Sequence, residues 1–461
     1  MIKTFLTFLL LIPYQNMLHA QDLLIKGGSY FNISNNSFVE NKGIKVISGK
    51  IVAIGGEMNT DHLPVLNLDD SFFILPGIID LHAHYKVHIG GKEKTDTLGM
   101  PIIYLANGVT SSFTAGELEP KKILELKRKI ENQYVVGPRI FNTGPYFGKD
   151  ANSKNNAWKE NLSEEQIEEL IDHWASKGIA GVKVKGITEQ QLKTIIERAH
   201  FHGLTVTGHL DSGYKNTVST EIAIKLGIDR VEHFLGGTVL PDTIGAYSSL
   251  AKMNPYDIRL DTIIQKFIEN RIYYSPTLST YGMVGGSTDE ALADWIDQSI
   301  FFTSYAKSVI EKQAKGSSFQ VMMNDIYENK KIEIKRFYDA GGKDLIVLGT
   351  DRQLRNGDIG GFAAHKEMRV LSEVGIPNHD VIGIASINGA RALGVEDELG
   401  SIEIGKWADL YVVQGNPIKD ISNTSSVFKV IKGGIVYDSE ALLNSVHHSL
   451  GPKNAEDWQN E

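Results

Sequence analysis

Six residues whose side chains could bind a metal ion lie along the chain, each beside a short apolar run. They are His82, His84, Lys183, His209, His233 and Asp351. Neutral imidazoles and carboxylates are ligands that suit zinc. His82 and His84 are one residue apart, and alternate side chains of a strand share a face, so both imidazoles could hold one ion. An H-x-H pair alone is more often the polar face of a strand than a pair of metal ligands. The metal interpretation becomes stronger because further candidate ligands follow at the ends of later predicted strands.

Cysteine is absent from the 461 residues. Its absence excludes disulfides, cysteine nucleophiles and thiolate metal ligands. A metal site must therefore use His, Asp, Glu or a modified Lys. A lysine ammonium can ligate a cation only after conversion to an anionic carbamate or after deprotonation.

The elements that must position these residues are short strands that alternate with helices. The predicted strands cover 75–82, 109–114, 138–142, 181–185, 204–209, 229–233, 272–278 and 345–350. Helical sequence lies between most of them, for example at 164–177 and 188–202. Ser163, and Thr188 with Gln191 three residues on, are acceptable helix starts. This alternation predicts an α/β fold with a (β/α)8 TIM-type barrel, whose active site lies at the C-terminal strand ends.

The candidate ligands come at or near those strand ends. Lys183 lies in the fourth strand, while His209, His233 and Asp351 close the fifth, sixth and eighth. Convergence from different strands on one mouth is harder to attribute to chance than any single polar strand end. Two long connections, 146–161 and 281–343, follow strands three and seven, and the second is expected to form a helical flap.

Both ends of the chain beyond the barrel are β-rich. Hairpin turns are predicted at Ser48-Gly49-Lys50 and at Lys432-Gly433-Gly434. A small β-sandwich formed from both chain ends is expected, because two separate appendages would each have too few strands to bury a face. The resulting division is a β-sandwich part at 21–73, the barrel at 74–394, a second sandwich part at 395–445 and a tail at 446–461.

Residues 1–20 combine a positive start, an apolar segment from Phe5 to Pro13 and a small residue at Ala20. This pattern predicts a secretory signal peptide, with an uncleaved amphipathic start as the alternative. We therefore expect a periplasmic or secreted protein without a stable membrane anchor. The 47 basic and 56 acidic side chains give a net charge of -9 and form no basic run, which argues against nucleic acid as a partner.

Three motifs carry a resemblance to a known family. They are Pro76 to His84, which reads PGIIDLHAH; Ser386 to Gly394, which reads SINGARALG; and Leu399 to Leu410, which reads LGSIEIGKWADL. The chain resembles the metal-dependent amidohydrolase superfamily, and it is closest in character to the imidazolonepropionase-like and prolidase-like branch. The motifs are specific for the superfamily and weakly specific for substrate.

This resemblance implies two divalent ions, usually zinc. His82, His84 and Asp351 would bind one ion, and His209 and His233 the other, with a carbamylated lysine as the bridge. Lys183 is the expected bridge and Lys185 the alternative, because both face the same side of a strand. A metal-bound hydroxide would attack a carbonyl, while Asp351 would be the catalytic proton acceptor.

The predicted function is therefore a metal-dependent hydrolase that cleaves an amide C–N bond in a small peptide, an N-acyl amino acid or a cyclic amide. A lactone or ester hydrolase on the same centre is one alternative, and a noncatalytic ligand-binding protein on the same scaffold is another. Further candidates for substrate contact are His88, Glu117, Tyr274, Arg352 and His365. Substrate identity and oligomeric state are left open.

Overall fold

The computed structural model describes residues 22–56, 58, 62–148, 162–210, 218–236, 239, 246–312, 317–354 and 359–458. The predicted signal peptide lies outside this part of the chain, as do most of the connection 146–161 and the last residues of the tail. No helix within the described ranges combines the length and the apolar character needed to cross a membrane.

The first strands of the chain belong to two sheets, one of which also contains strands from the other end of the chain. They are β1 (Leu23–Lys26), β2 (Ser29–Asn32), β3 (Ser37–Glu40), β4 (Ile44–Ile47), β5 (Lys50–Ile54), β6 (Val65–Asn67) and β7 (Phe72–Pro76). The predicted hairpin at 48–50 joins β4 to β5, with Ile47 opposite Lys50. Ser48 and Gly49 both have positive φ, of 49° and 77°, as a two-residue turn of the right twist requires.

The central strands are parallel. They are β8 (Ile78–Ile89), β10 (Val109–Thr114), β11 (Arg139–Phe141), β12 (Tyr146–Phe147), β13 (Gly181–Lys185), β14 (Thr205–His209), β15 (Arg230–Glu232), β16 (Tyr273–Ser275) and β17 (Arg352–Leu354), and β9 (Lys92–Thr95) pairs antiparallel with the long end of β8. Their orders are β11-β10-β8-β17 and β12-β13-β14-β15-β16. Most of these strands occur where the sequence predicts them, but β12 lies in the predicted connection 146–161 and the hairpin with β9 was not predicted.

The predicted strand at 345–350 is not a regular strand in the structure. Leu345 ends a short 3-10 helix, and the segment after it makes only an isolated bridge from Ile346 to Tyr274. The regular pairing with β8 begins later, at β17. Gly349 lies so close to its neighbours that a Cβ there would be 2.2 Å from the Ser275 hydroxyl oxygen. The amides of Val347 and Leu81 nevertheless bond across the gap, to the carbonyls of Tyr274 at 3.0 Å and Leu348 at 2.9 Å.

The two chain ends meet in one sheet. The last strands are β18 (Leu410–Gln414), β19 (Val427–Lys432) and β20 (Ile435–Asp438), and the sheet order is β20-β19-β18-β7-β2-β3. β18 pairs with β7, so that Leu410 stands opposite Pro76, directly before the strand that carries His82. The predicted turn at 432–434 is present between β19 and β20. An apolar cluster that includes Ile44, Ile402 and Leu410 joins this sheet to the sheet β5-β4-β1-β6.

Helices cover the parallel strands. They are α1 (Gly99–Ala106), α2 (Pro120–Glu131), α3 (Glu164–Ala175), α4 (Glu189–Phe201), α5 (Thr220–Leu226), α6 (Ala246–Ala251), α7 (Arg259–Glu269), α8 (Leu278–Gly285), α9 (Ser304–Glu311), α10 (Ser318–Phe337), α11 (Gly360–Glu373), α12 (Asn378–Ile384), α13 (Ile387–Ala392) and α14 (Ser439–Ser445). The predicted starts of α3 and α4 are confirmed, because Ser163 and Thr188 each form a capping box.

The long connection after β16 is helical, as expected. It contains α8, α9 and α10, and α8 packs closely on α10 because it presents glycines there. A Cβ on Gly285 would lie 2.6 Å from the amide nitrogen of Asn324. On its other side, α10 buries Ile326, Ile334 and Phe337 in the main core. The connection is therefore a packed part of the fold.

Candidate metal centre

The six predicted ligands come from neighbouring parallel strands, His82 and His84 from the middle of β8 and the others from within or close to the ends of their strands. His82 and His84 belong to β8, Lys183 lies in β13, His209 ends β14, His233 follows β15, and Asp351 precedes β17. All except His84 line one cavity of about 300 Å³. The histidines and Lys183 are buried, while the Asp351 side chain keeps 22% of its surface exposed to the cavity.

Asp351 is the point at which the imidazoles meet. Its Oδ1 atom lies 3.0 Å from Nε2 of His84 and 3.2 Å from Nε2 of His82, and its Oδ2 atom lies 3.9 Å from Nδ1 of His233. Ligand atoms of His82, His233 and Asp351 all lie within 4.8 Å of one another. The ring of His209 joins this group, with its centre 4.5 Å from that of the His233 ring. The structure thus brings the predicted histidines and Asp351 together.

Lys183 is placed differently from its alternative. Its side chain is 1% exposed and forms an ion pair with Glu232, which is itself buried and accepts a 2.8 Å hydrogen bond from the Thr207 hydroxyl. Lys185 is half-buried and also lines the cavity, with its ammonium 5.5 Å from the centre of the Tyr146 ring. Lys183 is therefore the more deeply buried of the two lysines, although its role as a bridging ligand stays a prediction.

Burial controls the charge of the site. It lowers the pKa of His82 to about 3 and holds the pKa values of His209 and His233 well below the ordinary range. Burial alone would raise the pKa of Asp351, but the neighbouring imidazoles of His82 and His84 outweigh it, so this pKa lies well below its usual range. At neutral pH the site therefore offers neutral imidazoles and an ionised carboxylate, which is the donor set that a divalent ion requires.

Three residues around the site have a left-handed backbone. The φ angles are 69° at His233, 51° at Thr277 and 44° at Asp351. Such angles are uncommon outside glycine and cost on the order of 1–3 kcal/mol each. Oγ1 of Thr277 lies 2.8 Å from Nδ1 of His233, and the Thr280 hydroxyl donates to the carbonyl of Asp351 at 3.2 Å. The residues with strained backbone are thus two candidate ligands, His233 and Asp351, and Thr277, which contacts the His233 imidazole.

The sequence interpretation missed Asp80, Glu232 and Thr277. The buried carboxylate of Asp80 accepts the amides of His82 and Thr350, each at 3.0 Å, and so fixes the first histidine against the segment that carries Asp351. Asp80 and Glu232 each stand within two residues of a predicted ligand, and that proximity is the only signal in the sequence. Thr277 has no such signal, because 44 residues separate it from His233.

The structure places only some of the further candidates for substrate contact at the cavity. Arg352 lines the cavity and donates to the Thr280 hydroxyl at 3.2 Å. His88 pairs with Glu93 on the β8–β9 hairpin, with 2.8 Å between Nδ1 and Oε1. Three others are used elsewhere: Glu117 bonds the Thr114 hydroxyl and the Thr143 amide, His365 contacts the carbonyl of Asn107 and the Thr424 hydroxyl, and Tyr274 bonds the His233 carbonyl.

Comparison with known proteins identifies the family. The chain matches the model of the amidohydrolase family over residues 73–436. It is 22% identical over 445 residues to the N-acetylglucosamine-6-phosphate deacetylase of Bacillus subtilis (strain 168), which covers 91% of this chain and 98% of that enzyme. Over 79 residues, which are 16% of this chain and 18% of that enzyme, it is 35% identical to the 5-methylthioadenosine/S-adenosylhomocysteine deaminase of Teredinibacter turnerae.

Solved structures show the same fold. The structure of a Xaa-Pro dipeptidase with bound methionine aligns with a TM-score of 0.68 at 21% identity, covering 91% of this chain and 100% of that one. Phenylurea hydrolase B aligns with a TM-score of 0.67 at 16% identity, covering 94% and 100%. The resemblance predicted from the sequence is confirmed: the chain belongs to the amidohydrolase family, whose members are hydrolases that act on carbon–nitrogen bonds.

Proposed function

We propose that this protein is a metal-dependent hydrolase that cleaves an amide C–N bond of a small molecule. The observation that carries the proposal is the group formed by His82, His233 and Asp351, whose ligand atoms lie within 4.8 Å of one another in a cavity at the strand ends. The donor set fits a divalent ion, because burial keeps the imidazoles neutral, while the neighbouring imidazoles keep the Asp351 carboxylate ionised in spite of burial.

The predicted ligand set would divide between two ions, with zinc as the expected metal. His82, His84 and Asp351 would hold one ion, His209 and His233 the other, and Lys183 as a carbamate would join them. Such ions, when bound, lower the pKa of water and polarise a carbonyl oxygen. The (β/α)8 barrel and the terminal β-sandwich that would frame this site are supported by the backbone bonds between the parallel sheets and by the sheet shared between the chain ends.

Asp351 has the properties of the proton carrier. Its carboxylate is ionised, and its exposed fifth faces the cavity in which a substrate would lie. It can accept a proton from the attacking water and deliver it to the leaving nitrogen, which converts a poor amide leaving group into a neutral amine. The Thr280 hydroxyl holds its backbone carbonyl, and Nε2 of His84 lies 3.0 Å from its Oδ1 atom, so both the backbone and the carboxylate of Asp351 are held.

The test combines metal analysis with a substrate panel of dipeptides, N-acyl amino acids, cyclic amides and lactones. Turnover of the amides by metal-loaded protein is expected, and Asp351→Asn should abolish it while the metal is retained. Asp344→Asn is the matched control, because Asp344 is exposed and does not line the cavity. Full turnover in metal-loaded Asp351→Asn would refute the assigned role.

The other outcomes of the panel separate the alternatives. Hydrolysis confined to lactones or esters would replace the amide proposal with the ester alternative. Binding of panel members without turnover, in protein shown to hold metal, would favour a ligand-binding protein on the same scaffold.

A further inference from the structure

His233 is held at the centre of a tight turn. Its φ is 69°, and the amide of Phe234 donates back to the carbonyl of Glu232 at 2.9 Å. A three-residue turn with positive φ at its centre is rare and strained. The conformation of this turn sets the direction in which the His233 side chain leaves the backbone. Something outside the turn must therefore stabilise it.

The stabilising groups come from β16 and from α10, about 100 residues further along the chain. Lys330 of α10 donates to the His233 carbonyl, and the Tyr274 hydroxyl donates to the same oxygen at 2.9 Å. Glu333, almost one helical turn after Lys330, accepts the amide of Leu235 at 3.4 Å and shares the single proton of the Tyr274 hydroxyl with the His233 carbonyl. These contacts reach both the carbonyl of His233 and the backbone two residues after it.

Both charged groups are deeply buried. Lys330 is 1% exposed and Glu333 is inaccessible to solvent. The Lys330 ammonium also lies 4.4 Å from the centre of the Phe234 ring and 5.1 Å from that of Tyr281, which lines the cavity. Lys330 and Glu333 influence each other electrostatically, but two buried opposite charges are seldom more stabilising than apolar side chains of the same volume. Stability alone therefore gives no reason for a lysine and a glutamate at this position, whereas control of one backbone conformation does.

We propose that Lys330, Glu333 and Tyr274 are positioning residues that hold the turn at His233, so that its imidazole faces the metal centre. None of the three belongs to the predicted ligand set. The inference rests on the proposed function, because it concerns the metal that His233 would bind. It assigns to the helical connection after β16 a part in building the centre.

The test is cobalt binding, because the affinity and the visible spectrum of bound Co²⁺ report the geometry of its ligands. Tyr274→Phe removes one donor to the His233 carbonyl without changing charge. Lys330→Met/Glu333→Gln removes both buried charges together and so leaves neither unpaired. Loss of a group that orients a metal-ligating histidine weakens metal binding by about 10–100-fold, and we expect a loss of that size with a shifted spectrum.

Matched controls lie on the same helix. Lys331→Met removes the neighbouring lysine, which pairs with Asp289 and Glu328, and Tyr327→Phe removes a hydroxyl that bonds Asp289 at 2.6 Å. Both should bind cobalt like the wild type, even where they lower the unfolding temperature. Wild-type affinity and spectrum in folded Tyr274→Phe would overturn the positioning role. Failure of the wild type to bind any divalent ion would instead overturn the proposed function.

Discussion

Replacement of Lys183 should affect the protein in two separable ways. In the metal-free protein its ammonium pairs with Glu232, and both side chains are buried. Lys183→Met would leave a buried carboxylate without its cation, and the loss of one partner of such a pair typically costs about 3–5 kcal/mol. Lys183→Met/Glu232→Gln removes both charges and preserves an oxygen acceptor for the Thr207 hydroxyl, so it should recover most of that stability. Lys185→Met should cost less than about 1 kcal/mol, because Lys185 is half-buried and contacts the Tyr146 ring.

Metal content separates the bridging role from the structural one. Chemical denaturation of the three metal-free variants gives the stability ranking, and elemental analysis after loading with zinc and bicarbonate gives the number of bound ions. We expect Lys183→Met/Glu232→Gln to be as stable as Lys185→Met but to bind fewer ions, since a methionine cannot form a carbamate. Full metal content in that double variant, together with loss of metal in Lys185→Met, would refute the choice of Lys183.

Three further outcomes are expected. Burial raises the pKa of Glu117 to about 8 from 4.5, so the native state holds the proton more tightly and the unfolding free energy should fall by on the order of 5 kcal/mol as pH rises between these values. Glu117→Gln should remove this loss of unfolding free energy with rising pH. If the melting temperatures of wild type and variant change with pH in parallel, the assignment to Glu117 is wrong. Thr277→Val keeps the β-branched shape but removes the hydroxyl beside Nδ1 of His233, and titration with a divalent metal ion should show binding weakened by about 10–100-fold. Arg139→Met breaks a 2.6 Å ion pair with Asp409 and should lower the unfolding free energy by at most about 3–5 kcal/mol, while Arg139→Lys should lower it less.

The strands and their polar ends could be predicted because they depend on local pattern. An apolar run followed by a polar residue identifies a buried parallel strand and its C-terminal end, and this places His209 and His233 correctly. The hairpin at Ser48-Gly49 follows from the same kind of information, because few residues accept positive φ at both central positions. The local sequence pattern at each strand end was therefore enough to identify the candidate ligands.

The supports of those ligands could not be predicted, because they depend on contacts between distant segments. Asp80 reaches Thr350 across 270 residues, and Lys330 reaches His233 across 97. Strand alternation places Lys183 and Lys185 on the same side, and only the depth of each side chain in the folded protein separates them. The left-handed backbone conformation of Asp351 could not be predicted either, since aspartate occurs in many other conformations and roles.

The helix α10 both lines the cavity and supports the turn at His233. Near its N-terminal end Phe319 and Met323 line the cavity, and further along Lys330 and Glu333 contact the turn at His233. Met323 and Lys330 are two turns apart and so lie on one face of the helix, about 10 Å from each other. If the helix moves as one unit, a change in how a substrate packs on the first pair shifts the second pair as well. Exchange of this connection for that of another amidohydrolase should therefore alter metal affinity together with substrate preference, whereas a connection that acted only as a substrate rim would alter preference alone.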